Sequence, residues 1–183
     1  MSTILKLDNI IPDDLCDACI EFYNRSETHD MKGLYNNNVS AYSTYIDGME
    51  RDLEVAIHSA LTKFIQAYID FCPTYKPHSH TGYHIRKVYG ATDMHWDNVF
   101  DGVSSAVRNL SIIAGLNSDF EEGVFNFPQQ NYQTRLLRGQ AIAFPVYFTH
   151  PHEVSSPKGY RYTINTWATE PPRPFIPDLQ ERM

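Results

Sequence analysis

From Tyr83 onward the chain breaks into short runs rich in β-branched and aromatic residues, with turn signals at Gly102, Gly123, Gly139 and Gly159. Many short strands with regular turns favour a double-sheet jelly roll, because that arrangement buries one face of every run. Tyr83-His-Ile-Arg-Lys-Val-Tyr89 alternates as a strand does, and Gln140-Ala-Ile-Ala-Phe-Pro145, opened by Gly139, has the character of a buried strand. Tyr160-Arg-Tyr-Thr-Ile-Asn-Thr-Trp167 is a third such run. Period-two geometry puts Arg161, Thr163, Asn165 and Trp167 on one face and Tyr162, Ile164 and Thr166 on the other. A jelly roll brings residues distant in sequence to one mouth, so polar groups scattered over these runs can converge.

Two helices precede this β-rich part. The first is predicted over about 12–26, with an acidic first turn, and the second over about 48–71. In the second, Leu53, Ile57, Ala60, Leu61, Phe64 and Tyr68 recur at helical spacing and form an apolar stripe. The predicted class is therefore α+β, a double-stranded β-helix with N-terminal helices packed on one face. With 183 residues and 42% hydrophobic content, the chain has material for one good core and hardly for two. We expect a single domain, 1–183, with helical support over about 1–75, a jelly-roll core over about 80–170 and a Pro-rich tail over 171–183.

Within this frame one cluster carries chemistry. His95-Trp-Asp97 follows the first strand, and if it is extended, His95 and Asp97 point to one side at i and i+2. His152 lies fifty-five residues beyond Asp97, and Arg161 nine residues beyond His152. Two imidazoles and a carboxylate are the donor set that holds non-haem Fe(II) with open coordination positions. The following arginine suits a cosubstrate with a distal carboxylate, since a guanidinium grips a carboxylate through two parallel hydrogen bonds. The set points to an iron oxygenase that uses 2-oxoglutarate. His150 competes with His152 for the third position, with only Pro151 between them. Thr163, two residues from Arg161 on the same face, is a natural second group for a carboxylate.

The segment from about Tyr83 to Ala168 resembles the catalytic domain of prolyl 4-hydroxylase-like Fe(II)/2-oxoglutarate dioxygenases. The resemblance lies in the order of its parts. A strand leads to His95 and Asp97, and a strand ending in Leu116-Asn117 leads to Asp119-Phe-Glu-Glu-Gly-Val-Phe-Asn-Phe-Pro128. Gly139-Gln-Ala-Ile-Ala-Phe144, His152-Glu-Val154 and Gly159-Tyr-Arg161 follow, closing on Trp167. It implies that His95, Asp97 and His152 bind iron, with His152 preferred over His150, and that Arg161, with Thr163, holds the far carboxylate of 2-oxoglutarate. It also implies a tyrosine contact to the cosubstrate, for which Tyr83 and Tyr89 both qualify. The resemblance further implies dioxygen as the oxidant, room for ascorbate as an accessory reductant, and conversion of 2-oxoglutarate to succinate and carbon dioxide. Two departures stand out. Glu122-Gly123 replaces the usual Gly-Gly pair, and the usual tyrosine is not cleanly aligned. Asp97 argues against a halogenase, which needs that carboxylate absent.

The implied substrate is a peptidyl proline, with a free amino acid or small metabolite as the alternative, because fold does not transfer specificity. Two other classes compete: a jelly-roll oxygenase that does not use 2-oxoglutarate, and a non-catalytic binding module. The segment 30–47, with Gly33, Tyr35, three asparagines, Tyr42 and Tyr45, reads as a loop with at most a short strand, either the rim of the mouth or an ordinary surface connection. A net charge of −7 disfavours nucleic acid as a partner. No targeting or membrane-spanning segment is visible, so a cytoplasmic protein without membrane attachment is expected. Cys16 and Cys19 form a Cys-x-x-Cys on the first helix with no second pair, and they and Cys72 read as core residues. His58 and His84 read as structural, His78 and His80 as exposed loop residues.

Overall fold

The β-forming runs close into one curled antiparallel sheet in the computed structural model of the chain, which describes residues 3–32, 39–46, 48–97 and 107–170. Gly33, Tyr35, the asparagines at 36–38, Gly102 and the tail 171–183 lie outside the described residues. The first half holds β1 (Leu5–Leu7), α1 (Asp13–Arg25), β2 (His29–Asp30), β3 (Val39–Tyr45), α2 (Arg51–Phe71), β4 (Ser79–His80) and β5 (His84–His95). The second half holds β6 (Val107–Gly115), β7 (Glu121–Glu122), β8 (Val124–Phe127), β9 (Tyr132–Arg135), β10 (Ala141–Pro145), β11 (His152–Val154), β12 (Pro157–Lys158) and β13 (Arg161–Glu170).

The strand order β1-β10-β6-β13-β5-β11-β8-β9 turns back on itself at β5. The first residues of β5 pair with β13 and β3, while Thr92 and His95 pair with Val154 and His152 of β11. Irregular register on both flanks of β5 marks where the strand bends from one layer to the other. One strand thus belongs to both layers of the jelly roll, and the metal-type residues sit at its far end.

Each layer has its own core. On the outer face of the first layer, Ile57, Leu61, Phe64 and Tyr68 of α2 and Cys16, Cys19 and Phe22 of α1 pack on Ile85, Leu110, Ile112, Ala114 and Ile164. Full burial of a side chain such as Phe64 or Ile57 contributes about 1.5–3 kcal/mol, so this stripe anchors α2. Between the layers, Ile4, Ile113, Phe125, Phe127, Leu136, Ile142, Phe144 and Val154 form the second core. The helices begin and end close to the predicted bounds. Pro12 caps α1, Asp13 and Asp14 favour its positive N-terminus, and Gly48–Glu50 is a separate 3-10 turn before α2. Cys16 and Cys19 are free and buried, as core residues.

Residues 39–45 form the short strand allowed within 30–47, β3, which pairs with β2 and with β5. One expectation is corrected. His80 is not an exposed loop residue. It lies in β4 beside Ala168, and its ring stacks on Tyr83 at 4.9 Å. Pro157 and Lys158, just before the turn signal at Gly159, form β12, paired with β7.

Candidate metal centre

His95 and His152 meet because β5 and β11 pair in register at these two residues, which brings their ring centroids to 4.4 Å. Asp97 lies two residues past the strand end on the same side, while Trp96 between them is 47% exposed. One ligand atom from each of His95, Asp97 and His152 lies within 4.8 Å of the others, a spacing that one metal ion can bridge.

The imidazole orientations are set from behind. Nδ1 of His95 donates to the carbonyl of Asp93 at 2.7 Å, and Nδ1 of His152 to the carbonyl of His150 at 3.1 Å. A carbonyl only accepts, so the ring proton sits on Nδ1 and each Nε2 offers a lone pair to the centre. The His152 ring is also packed between Phe127 and Phe144, at 5.1 and 4.7 Å. His150 does not converge. Its Nδ1 bonds Thr149 Oγ1 at 2.9 Å and its Nε2 bonds Thr3 Oγ1 at 2.7 Å.

Asp97 is held as an anion. Burial pushes its pKa up, but the hydrogen bond and charge that His95 offers once its ring takes a second proton, the charge of a protonated His152 and the Ser111 hydroxyl outweigh that and carry it well below the usual carboxylate range. Its Oδ1 stands 3.3 Å from His95 Nε2 and its Oδ2 accepts from Ser111 Oγ. Burial lowers the His152 pKa, and for His95 the Asp97 contacts overcome burial and raise it.

A buried cation faces the same interior. Arg161 opens β13 at 4% exposure, with its guanidinium carbon 4.9 Å from the centre of the Phe125 ring. Its Nε and Nη1 are buried without a hydrogen-bond partner among the described residues. Burial first, and then the Arg86 charge, brings its pKa down to about 10, so it stays charged at neutral pH. A desolvated guanidinium with unused donors calls for an anionic partner. Thr163 shares its face and donates to Asn165 Oδ1 at 2.7 Å. Asn117 fixes this end of β13, donating to the Tyr160 carbonyl at 2.8 Å and accepting from the Tyr162 N–H at 2.7 Å. Glu122 and Gly123 both adopt left-handed backbone, φ +60° and +65°, so the turn survives without a second glycine. The left-handed glutamate costs about 1–2 kcal/mol. Gly123 itself leaves room for the Phe120 ring, whose Cε2 would lie 3.1 Å from an added Cβ.

Neither candidate tyrosine reaches this interior. In β5 the residues paired with Arg161 and Thr163 are Val88 and Arg86, so Tyr83 and Tyr89 fall on the opposite face. Tyr83 packs among the α2 residues and its hydroxyl bonds His58 Nδ1 at 2.7 Å. Tyr89 bonds Asp30 and lines an outer surface cleft of about 860 Å³ with Tyr23, Tyr42, Lys87 and Tyr160. Sequence reasoning did not single out Ser111 or Asn117. The one signal for Ser111 is a hydroxyl inside the apolar run Leu110-Ser-Ile-Ile-Ala114.

Residues 81–169 match the 2OG-Fe(II) oxygenase superfamily. No curated protein matches the sequence. Among solved structures, the chain is similar to the viral collagen prolyl hydroxylase of Paramecium Bursaria Chlorella virus-1 in its 2OG complex, at 18% identity and TM-score 0.72, over 93% of this chain and 97% of that one. It is also similar to a Trichoplax adhaerens prolyl hydroxylase in complex with a hypoxia inducible factor peptide fragment, at 16% identity and TM-score 0.69, over 91% and 83% of the two chains. A Pseudomonas putida prolyl-4-hydroxylase aligns at 15% identity and TM-score 0.70, over 92% and 93%. At such identities the likeness is one of fold.

Proposed function

We propose, from the match of residues 81–169 to the 2OG-Fe(II) oxygenase superfamily, that the chain is an oxygenase of this kind and that it hydroxylates a prolyl residue of a peptide or protein. As a 2-oxoglutarate-dependent dioxygenase of the prolyl hydroxylase type it uses Fe(II), 2-oxoglutarate and dioxygen. The observation that carries the site assignment is the pairing of two unlike features in one interior: a His95–Asp97–His152 cluster with its Nε2 atoms turned inward, and the unpartnered buried guanidinium of Arg161.

In this reading His95 and His152 hold iron through Nε2, and Asp97 supplies the carboxylate. Arg161 grips the far carboxylate of 2-oxoglutarate, with Thr163 beside it. When bound, iron and 2-oxoglutarate would let dioxygen turn a substrate C–H into C–OH, one oxygen atom going to the substrate and the other to the succinate formed as 2-oxoglutarate loses carbon dioxide. The chain's own part is geometry and exclusion. Ser111 steers the Asp97 carboxylate, the carbonyls of Asp93 and His150 set the imidazoles, and Phe127 and Phe144 keep water from the His152 side. Asn117 holds the Arg161 strand end.

A peptide substrate is supported by the neighbour solved with a peptide fragment bound. Of the proposed rim tyrosines, Tyr45 alone among the described residues lies on the metal side of β3, edge-on to His84 at 5.0 Å, while Tyr42 turns outward onto Tyr89. We also place the protein in the cytosol, where its three free cysteines stay reduced. Among the described residues no helix is long and apolar enough to cross a membrane. The test is anaerobic Fe(II) and 2-oxoglutarate binding, followed by a succinate-formation screen with proline peptides and free amino acids. Stimulation by proline peptides is the expected result. Stimulation by a free amino acid alone replaces the peptide substrate with a small metabolite, and no 2-oxoglutarate binding removes the assignment of Arg161.

A further inference from the structure

The outer side of the sheet carries a cleft that the metal centre does not use. Lys87 and Tyr89 follow Ile85 on the face of β5 turned away from the metal interior. Register surrounds Lys87 with tyrosines, since its partners are Tyr42 on β3 and Tyr162 on β13. Its ammonium stands 4.1 Å from the centre of the Tyr160 ring and 5.6 Å from that of Tyr162. Tyr42 leans on Tyr89 at 5.1 Å, and Tyr23 of α1 meets Tyr162 edge-on at 5.5 Å. The rings of Tyr23, Tyr42, Tyr89 and Tyr160 wall the cleft of about 860 Å³, which runs between the end of α1 and Pro157. That volume lies toward the upper end of sites that take organic ligands.

The wall is aromatic, and its cation is uncompensated. Tyr42 is 41% and Tyr160 54% exposed, so large rings face solvent side by side rather than singly. Lys87 forms no ion pair among the described residues. The Tyr160 ring covers one side of its ammonium and leaves N–H donors to spare. The negative groups near the cleft are already engaged. Asp30 accepts from the Tyr89 hydroxyl at 3.3 Å and from the Lys32 N–H at 2.9 Å, and Ser26 takes the carbonyls of Phe22 and Tyr23 at the end of α1. A ligand that suits this surface therefore presents flat apolar faces, acceptors in excess of donors, and a negative charge. A polyproline II segment has the first two, because each proline offers a ring face and a carbonyl but no N–H. It is already extended, so docking on aromatic rings costs it little chain freedom. An acidic side chain within it supplies the third.

We propose that this cleft docks an extended, proline-rich polypeptide segment that carries an acidic residue opposite Lys87. The cleft lies on the other face of β5 from Arg161 and Thr163, so the docked segment is not the part of a molecule that reacts. The site stands independently of the oxygenase reading above. Where both hold, it gives a polypeptide substrate a second grip remote from its reacting residue.

The experiment is calorimetric titration of the full-length protein with end-blocked peptides. Pro-Pro-Glu-Pro-Pro-Pro is compared with its Gln counterpart and with Ala-Ala-Glu-Ala-Ala-Ala. The acidic proline peptide should bind about threefold more tightly than the Gln form and about tenfold more tightly than the alanine form. Tyr42→Ala and Tyr160→Ala should each weaken it about threefold to tenfold. Lys87→Gln should erase the preference for Glu over Gln, and Lys87→Arg should keep it. Tyr42→Ala should still bind Mn(II) and 2-oxoglutarate as the unmodified protein does, which separates the cleft from the metal interior. No binding of the proline peptide, or equal binding of its Glu and Gln forms, overturns the proposal. Binding that both tyrosine variants leave unchanged overturns it too and places the peptide at the metal mouth. Tighter binding of end-blocked Pro-Pro-Arg-Pro-Phe-Ile-Pro, the chain's own residues 171–177, would give the cleft to the tail instead. A dimer in sedimentation that Tyr160→Ala dissociates would give it to a second copy. Loss of 2-oxoglutarate binding by the unmodified protein would overturn the oxygenase reading and leave the docking site standing.

Discussion

His152 donates its Nδ1 hydrogen to the backbone carbonyl of His150 at 3.1 Å, so two histidines that look alike in the sequence have separate roles. His152 turns its Nε2 toward His95 and Asp97, whereas both ring nitrogens of His150 are engaged by Thr149 and Thr3. Replacing His95, Asp97 or His152 with alanine should abolish binding of Fe(II), or of Mn(II) as its stand-in, at micromolar concentration. His150→Ala keeps the backbone carbonyl and should retain one metal per chain. Ser111→Ala should retain metal with affinity reduced about 10–100-fold, since it removes the donor that orients Asp97. Equilibrium dialysis with metal analysis decides among these, and a metal-free His150→Ala protein would reverse the assignment.

Arg161→Ala should leave metal affinity in place while weakening 2-oxoglutarate by about 2–5 kcal/mol, because a buried charge pair is lost. Arg161→Lys should recover only part of this, as an ammonium lacks the planar fork. Asn117→Ala should act in the same direction more weakly, by loosening the strand end that carries Arg161. Calorimetric titration of 2-oxoglutarate into Mn(II)-loaded variants measures all three. Unchanged affinity in Arg161→Ala would favour an oxygenase that does not use this cosubstrate.

His84 should make the fold sensitive to mild acid. Burial, followed by the Arg86 and Arg108 charges, lowers its pKa from 6.5 to about 4, so the folded chain keeps it neutral. Between those values the unfolded chain takes up a proton that the folded chain refuses. Stability is therefore full above about pH 6.5 and falls as pH drops toward 4, by about 3 kcal/mol at most from this residue. Urea unfolding of the wild type and of His84→Phe across that range should show a shallower pH slope in the variant. Parallel slopes would mean that other groups carry the acid sensitivity.

Cys16 and Cys19 should behave as core side chains, and the half-buried Cys72 should not. Cys16 and Cys19 are fully buried, and burial together with the neighbouring Cys16 pushes the Cys19 thiol up to about 12. A thiol reagent should label the native protein at Cys72 and reach Cys16 and Cys19 only after denaturation. Rapid native labelling of all three would contradict the packing of α1.

Local chemistry alone determined a good part of this protein. The stripe of α2, the strand character of residues 83–89, 140–145 and 160–167, and the donor set His95, Asp97 and His152 with Arg161 were legible because periodicity and residue type are properties of short segments. What stayed hidden depends on which face of a strand looks inward. Alternation shows that Tyr83 and Tyr89 share a face, yet only the docking of the helices on the side of Ile85 and Ile164 turns that face away from the metal centre. The choice of His152 from geometry, the Ser111–Asp97 bond and the meeting of Arg86 and Arg108 on Trp167 likewise rest on register between strands far apart in the chain. A shift of one residue in any of these pairings would send the side chain to the opposite face, and the cores on both sides of the sheet are what hold the register in place.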